Sequence, residues 1–267
     1  MTLWVCATPI GNLSDASDRL KETLARVDLI AAEDTRVTQK LCQAWKIEKP
    51  MISLQKYNEA QRVDKLLSVL KSGQEIALVS DAGTPNIADP GAYVISKLRE
   101  AGIRISPVPG PSSVTAFLSV AGILANQFYF AGFFPKKESE KKDRIEKATP
   151  DEPFVFFESG QRLKETLQWI HSHVGIQWIA LGKELTKTYE TLWVGDWETV
   201  HQALNQASLK GEWIGAILVN PPQQIPPKTI ANELKDLGLT PRQIVAVATT
   251  YLHYSKNSIY DAVHHDD

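Results

Sequence analysis

Two stretches of the chain crowd ionisable side chains closely enough to move a proton. Glu33-Asp34-Thr35-Arg36 follows the apolar run Val27 to Ile30 and sets two acids beside an arginine. Such a group can be catalytic, can bind substrate, or can be an ordinary charge cluster at a helix start. Glu184-Leu185-Thr186-Lys187-Thr188-Tyr189-Glu190 is equally dense in reactive groups, and taken alone it reads as well as a salt-bridged surface turn.

Three loops carry residues of the kind that grip a small polar ligand. Ser80 to Gly91 packs two prolines, two glycines and two aspartates directly after a buried-strand run. Within it Gly83 permits close backbone approach and Asp81 offers a carboxylate to an ammonium or hydroxyl, although both also suit an Asx turn. Pro107-Val108-Pro109-Gly110-Pro111-Ser112-Ser113 places hydroxyls and amides at a helix start, which serves ligand binding or simple capping. Thr8-Pro9-Ile10-Gly11-Asn12 lacks the G-x-G-x-x-G spacing, and no G-x-x-x-x-G-K-[ST] occurs, so dinucleotide and P-loop readings lose their usual support.

The elements that must position these loops alternate. Leu3 to Cys6 predicts a strand, followed by a helix with Leu20, Leu24 and Val27 on one face. Ile76-Ala77-Leu78-Val79 predicts a buried strand, followed by a helix with Val94, Leu98 and Ala101 that Gly102 ends. Ile103 and Ile105 alternate as in a strand, Pro107 to Pro111 reads as loop, and an Ala/Val-rich helix begins at Ser112. Alternation of this kind implies an α/β fold with a mostly parallel sheet, whose ligands bind beyond the carboxyl ends of the strands.

Gly122 to Gln127 reads as a connector to a second α/β set: strand Phe154 to Phe157, helix with Leu163, Leu167 and Ile170, strand Trp178 to Leu181, and strand Ile214 to Val219. Pro221-Pro222-Gln223-Gln224-Ile225-Pro226-Pro227 reads as a stiff linker, because proline removes donors and restricts its predecessor. Beyond it Thr240-Pro241-Arg242-Gln243 has the form of a capping box ahead of Ile244, Val247 and Ala248, and a short helix carries Ile259, Tyr260 and Val263. The expected domains are 1–122, 123–220, and a linker and helical tail over 221–267.

Composition narrows the function. With 29 Lys+Arg against 31 Asp+Glu, the net charge of -2 provides no global field for nucleic acid, so any RNA contact needs a local basic patch. Phe133-Phe134-Pro135-Lys136-Lys137 leading into Lys141, Lys142, Arg144 and Lys147 is one such segment; the alternative is a solvated helix with Glu-Lys pairs. Cys6 and Cys42 lie far apart in no metal or disulfide spacing, and neither His171/His173 nor His264/His265 has ligand geometry. No basic and apolar leader opens the chain and no stretch suits a bilayer, which predicts a cytoplasmic protein without membrane contact.

At these loops the chain resembles the tetrapyrrole methylase-like (class III) methyltransferases, and within them the branch acting on small-subunit ribosomal RNA. The motifs are Thr8 to Leu13, Glu33 to Arg36, Ser80 to Gly91, Gly110-Pro111-Ser112, Phe157-Glu158-Ser159 with Arg162, and Glu184 to Lys187 with Glu190. The likeness spans both α/β parts and the tail.

The resemblance implies two α/β domains with S-adenosylmethionine in the cleft between them. Pro9, Ser80, Asp81, Ala82, Pro85, Ser112 and Ser113 would touch it, with Glu158 and Leu185 closing from the second domain. It implies transfer to the ribose 2′-hydroxyl of a cytidine, in free RNA or in the assembled small subunit, by a homodimer. One departure is visible: Gln161 stands where the family has histidine, so a donor or acceptor survives there but not a proton carrier.

Methyl transfer to an alcohol is an in-line displacement that needs alignment and water exclusion, and no metal. The hydroxyl must shed a proton, and Asp34, Glu33 and Glu158 are the candidate bases, with Lys187 or Arg36 orienting phosphate or oxyanion. Two other classes remain open. A small-molecule methylase would share the cofactor loops but present an acid-lined or apolar cleft, and a cofactor-sensing module would bind without turnover.

Overall fold

The structure, a computed structural model, describes residues 1–220, 226–252 and 254–264. Residues 1–220 form one compact unit and the residues from 221 onward a second.

The first half of the large unit alternates strand and helix. It runs β1 (Thr2–Cys6), α1 (Asp18–Arg26), β2 (Leu29–Ala32), α2 (Thr35–Ala44), β3 (Met51–Ser53), α3 (Glu59–Lys71), β4 (Ile76–Val79), α4 (Ala92–Glu100), β5 (Arg104–Val108) and α5 (Ser113–Val120). The strands lie in the order β3-β2-β4-β1-β5 and every pairing is parallel. All four residues of β4 are buried, as a short unbroken apolar run in a central parallel strand requires. On one side α3 and α4 pack Leu66, Leu70, Val94 and Leu98 onto the sheet; on the other α1 and α2 pack Leu20, Leu24 and Cys42.

Local chemistry sets the helix starts. Ser17 accepts from the Leu20 amide to begin α1. The amides of Tyr93 and Val94, in the first turn of α4, are instead met by the buried Glu59 carboxylate, at 3.1 and 3.3 Å. Gly102 takes φ +77° after α4, the left-handed position that ends a helix cheaply only with glycine.

The second half contains β6 (Tyr129–Phe133), α6 (Glu138–Ile145), β7 (Phe154–Ser159), α7 (Gly160–Val174), β8 (Ile176–Lys183), β9 (Thr191–Gly195), α8 (Trp197–Gln206) and β10 (Glu212–Val219). Its sheet, β6-β7-β10-β8-β9, pairs antiparallel except for β6 with β7. One face is covered by α7 and α8 through Leu163, Leu167, Ile170, Trp197, Val200 and Leu204. The other face is covered by α5, whose Val114 and Phe117 pack with Val155, Ala180, Ile214 and Ala216. Thus α5, which follows the last strand of the first sheet, packs on the second.

Several expectations are corrected. Pro107 lies inside β5, not in a loop, and pairs with Val5; β5 is an edge strand, where a missing donor costs no ladder bond. Ala101 is exposed beyond the end of α4 instead of on its core face. The expected linker falls largely outside the described residues at Pro221 to Ile225, and its last residue opens a helix: Pro227 is the first residue of α9 (Pro227–Asp236).

The small unit is completed by α10 (Pro241–Tyr251) and α11 (Lys256–His264), with the capping box at Thr240 and Gln243 in place. Ile230, Ala248, Tyr254 and Ile259 form its core, while Tyr260 faces solvent at 50% exposure instead of packing inward.

Candidate functional site

The candidate site lies at the carboxyl ends of the first sheet. Neighbouring strands β2, β4, β1 and β5 deliver Glu33, Ser80, Ala7 and the Gly110–Ser112 turn side by side. Three crossed contacts hold these loops. Thr8 and Gly83 exchange backbone bonds of 2.9 and 3.1 Å, the Thr8 hydroxyl donates to the Ser80 carbonyl, and Thr84 Oγ1 donates to the Pro111 carbonyl at 3.0 Å. The Ser80 hydroxyl is turned into its own loop, toward the Ala82 and Gly83 carbonyls, and Pro85 is buried, so both shape the loop. Asp81 and Ala82 are exposed on its outer surface.

The acids are laced together across β2 and β4. The Asp34 amide donates to Asp81 Oδ1 at 2.9 Å, and the Asp81 amide lies 3.4 Å from Glu33 Oε2. Burial pushes the Glu33 carboxyl up from its ordinary value, and the charges of Asp89 and Asp81 add to the rise. Burial likewise raises Asp81 and Asp89. Asp34 behaves oppositely. It caps α2 and pairs with Arg36 (Nη2 to Oδ2 2.6 Å), whose hydrogen bonds hold its carboxyl at about 2. The two adjacent acids thus differ in setting: Asp34 is held ionised by its pair with Arg36, whereas Glu33 is half-buried among other acids.

Ser112 precedes α5, yet its hydroxyl makes no capping bond, and the first amides of a helix lack intrahelical partners. Ser113 opens the helix. Free amides at such a helix start can take an anionic group.

The second sheet contributes the loop after β8. Glu184 and Thr186 both adopt left-handed backbone, φ +50° and +64°, which is costly for side chains with a Cβ and severe for a β-branched threonine. The loop is held by surrounding bonds: the Glu212 amide to Glu184 Oε1 at 2.8 Å, the Thr186 amide to Glu190 Oε2 at 2.6 Å, and Lys187 Nζ to Glu212 and Glu184 at 2.8 and 3.2 Å. Lys187 is thus spoken for by two carboxylates.

Gly11 is where the two halves meet: a Cβ there would lie 2.4 Å from Lys187 Cγ and 2.8 Å from the Leu185 carbonyl and Thr186 Oγ1. Thr186 Oγ1 is buried and has no hydrogen-bond partner among the described residues, a polar atom left for something else to satisfy. Pro9 and Leu185, both half-buried, flank this approach.

Glu158 is not brought to the site. Its side chain is 1% exposed; Oε1 accepts from the Ser159 amide at 2.7 Å and faces Arg162 Nη1 at 3.2 Å, while Oε2 accepts from Thr166 Oγ1 at 2.7 Å. Both its oxygens are engaged inside the protein, which favours a structural role for it over one as base or cofactor contact. Arg162 continues the network to the carbonyls of Phe134 and Pro135.

The basic segment is also rearranged. Phe134 and Lys141 are buried, Lys141 against the Trp169 ring, and Arg144 donates to the Ala131 carbonyl, leaving Phe133, Lys136, Lys137, Lys142 and Lys147 outside. Sequence reasoning missed Asp89 and Thr186 as individuals, although each lay in a stretch it singled out. Among the described residues no group of three or more His, Cys, Asp or Glu side chains is placed to hold a metal ion, and no helix is long and apolar enough to cross a membrane.

Residues 2–201 match the family described as Tetrapyrrole (Corrin/Porphyrin) Methylases. The chain is 38% identical over 267 residues to the ribosomal RNA small subunit methyltransferase I of Haemophilus influenzae, covering 97% of this chain and 94% of that one. It is 35% identical to the Bacillus subtilis protein of the same name, covering 98% and 94%. It is 46% identical to that of Escherichia coli O157:H7 over 193 residues, covering 71% and 67%. In fold it is similar to a uroporphyrin-III-C-methyltransferase from Thermus thermophilus, with TM-score 0.56, 17% identity, and 81% and 93% of the two chains covered. A diphthine synthase superposes with TM-score 0.62 at 13% identity, covering 81% and 89%.

Proposed function

We propose that this chain, which belongs to the tetrapyrrole (corrin/porphyrin) methylase family, methylates the ribose 2′-hydroxyl of a cytidine in small-subunit ribosomal RNA, using S-adenosylmethionine, in the cytoplasm. The observation that carries the reading is the match to ribosomal RNA small subunit methyltransferase I relatives over nearly their whole length, with the half-buried Glu33 at the carboxyl ends of the first sheet, where the loops gather.

The donor set fits the cofactor. Its carboxylate suits the α5 amides and Ser112/Ser113, its ammonium suits the Asp81 carboxylate, and its polar atoms suit the orphaned Thr186 hydroxyl beside Leu185. When bound it supplies an electrophilic methyl group. Glu33 then takes the proton that the ribose hydroxyl sheds, a service worth about 10²–10⁴-fold. Asp34, through the hydrogen bond from its backbone N–H to Asp81 Oδ1 and its ion pair with Arg36, fixes the loop that carries Glu33.

A homodimer is supported by the α5 face of the second sheet. One short helix covers it, leaving Val120, Leu124 and Phe128 exposed beside a groove of about 350 Å³ lined by Leu118 and Ile123. Sedimentation at micromolar concentration tests this, and a monomer there removes it.

The activity is tested by incubating purified protein with labelled S-adenosylmethionine and either small ribosomal subunits or free ribosomal RNA from cells lacking the enzyme. Nuclease digestion yielding a labelled 2′-O-methylcytidine is the expected result, and the labelled form identifies the substrate. Label that enters only a tetrapyrrole, or no label despite cofactor binding, overturns the assignment.

A further inference from the structure

We infer that the edge of the second sheet running from Lys187 to Phe133 is the track on which the RNA strand lies, with Phe133 stacking a base near the target nucleotide; this rests on the RNA reading above. The strand registers align one row of ends. Lys183 at the end of β8 pairs with Trp213 of β10, Glu212 pairs with Ser159 at the end of β7, and Phe157 of β7 pairs with Phe133 at the end of β6. The loop that meets Gly11 therefore stands three strands from Phe133, about 14 Å at the usual inter-strand spacing.

The chemistry along that row suits a single strand. Phe133 is 63% exposed, so its ring is offered to solvent, yet it is braced at 5.4 Å against Phe157 on the α5 face. The Arg162 guanidinium, itself paired with Glu158, binds the Phe134 and Pro135 carbonyls and so fixes the turn that presents Phe133 and Lys136. On the α7/α8 side of the same strand ends Lys183 Nζ rests on the Ser208 carbonyl at 2.7 Å and over the Trp213 ring, and Lys164 Nζ on the Asn205 carbonyl at 3.5 Å; on the α5 side the exposed Glu212, paired with Lys187, stands between the two ends. Lys136 and Lys210 are exposed on the same edge. An exposed aromatic with cations around it is a chemistry by which proteins hold single strands.

The test compares Phe133→Ala, Phe133→Tyr, Lys136→Glu and Lys210→Glu with the wild type. Readouts are methyl transfer to small-subunit RNA and subunits, RNA binding by anisotropy, S-adenosylmethionine affinity, and mass in solution. Phe133→Ala is expected to raise KM for RNA and weaken RNA binding about tenfold, with kcat and cofactor affinity retained, and Phe133→Tyr to restore both. Each lysine variant should flatten the salt dependence of RNA binding by about 0.7 in log–log slope. If the wild type methylates RNA while all variants match it in KM and salt slope, the track is wrong although the function stands. If Phe133→Ala changes the oligomeric mass instead, the ring belongs to a protein interface and the inference falls. If the wild type methylates no RNA, both fall together.

Discussion

Replacing Glu158 with glutamine separates a structural carboxylate from a catalytic one. The substitution keeps the shape but removes the charge facing Arg162, and it must reassign an amide among the Ser159 amide, Arg162 and Thr166. Stripping a buried ion pair of one partner costs about 3–5 kcal/mol. Here Arg162 is 25% exposed and keeps the Phe134 and Pro135 carbonyls, so the loss falls toward that of charge-assisted hydrogen bonds, about 2–3 kcal/mol. For a unit of this size that lowers Tm by about 4–12 °C. Thermal and denaturant unfolding measure the loss; cofactor titration and methyl transfer below the transition measure function. Folded Glu158→Gln should retain cofactor affinity and most of kcat. Unchanged stability together with a hundredfold or greater fall in kcat would refute the reasoning and return Glu158 to the reaction.

Glu33→Gln should cut kcat by about 10²–10⁴-fold, whereas Asp34→Asn, which keeps the cap on α2, should retain most turnover; single-turnover rates decide which acid is the base. Since Glu33 acts deprotonated and its folded value is raised above 4.5, the rate should fall as pH drops through that raised value, and Asp89→Asn, by removing the neighbouring charge, should move this limb to lower pH without lowering the plateau. The same shifts set stability: with Glu33, Asp81 and Asp89 all raised, the cluster's contribution is present below the ordinary carboxylate range and is lost as pH rises through the raised values, so Glu33→Gln should lessen the decline in denaturant midpoint toward neutrality. Gly11→Ala places a Cβ against Lys187, Leu185 and Thr186; calorimetry should find weakened cofactor binding, and unchanged affinity would mean that this approach is not part of the binding surface.

How much of this could be read in advance depended on where each signal was stored. β4 was legible because four consecutive apolar residues bounded by special loop residues have one economical home, a strand buried on both faces. The tail's cap was legible because Thr240, Pro241 and Gln243 act within four residues. Proline misled twice for one reason: its missing donor matters only where a partner waits, and neither edge strand β5 nor the first turn of α9 needs one. β3, three residues long, carries too few positions for a period. Of the candidate site, the loops that gather at the strand ends were legible but not the different settings of the side chains within them. Glu33 and Asp34 are adjacent carboxylates that differ because one meets Asp89 and Asp81 from β4's loop and the other meets Arg36 two residues on; only the second relation is local.

Glu158 carries the same lesson with a usable clue. Its partners Arg162 and Thr166 stand four and eight residues ahead, one and two turns along α7, so a carboxylate closing a strand ahead of an amphipathic helix has those residues within reach. The motif around Glu158 is then a brace for the β6 turn, while the acids with raised carboxyls, Glu33, Asp81 and Asp89, come from the first sheet. The proposed proton chemistry and the proposed strand placement accordingly sit on different sheets. That is why substitutions at Glu33 should act on kcat and those at Phe133 on KM, with little coupling expected between side chains that share no partner.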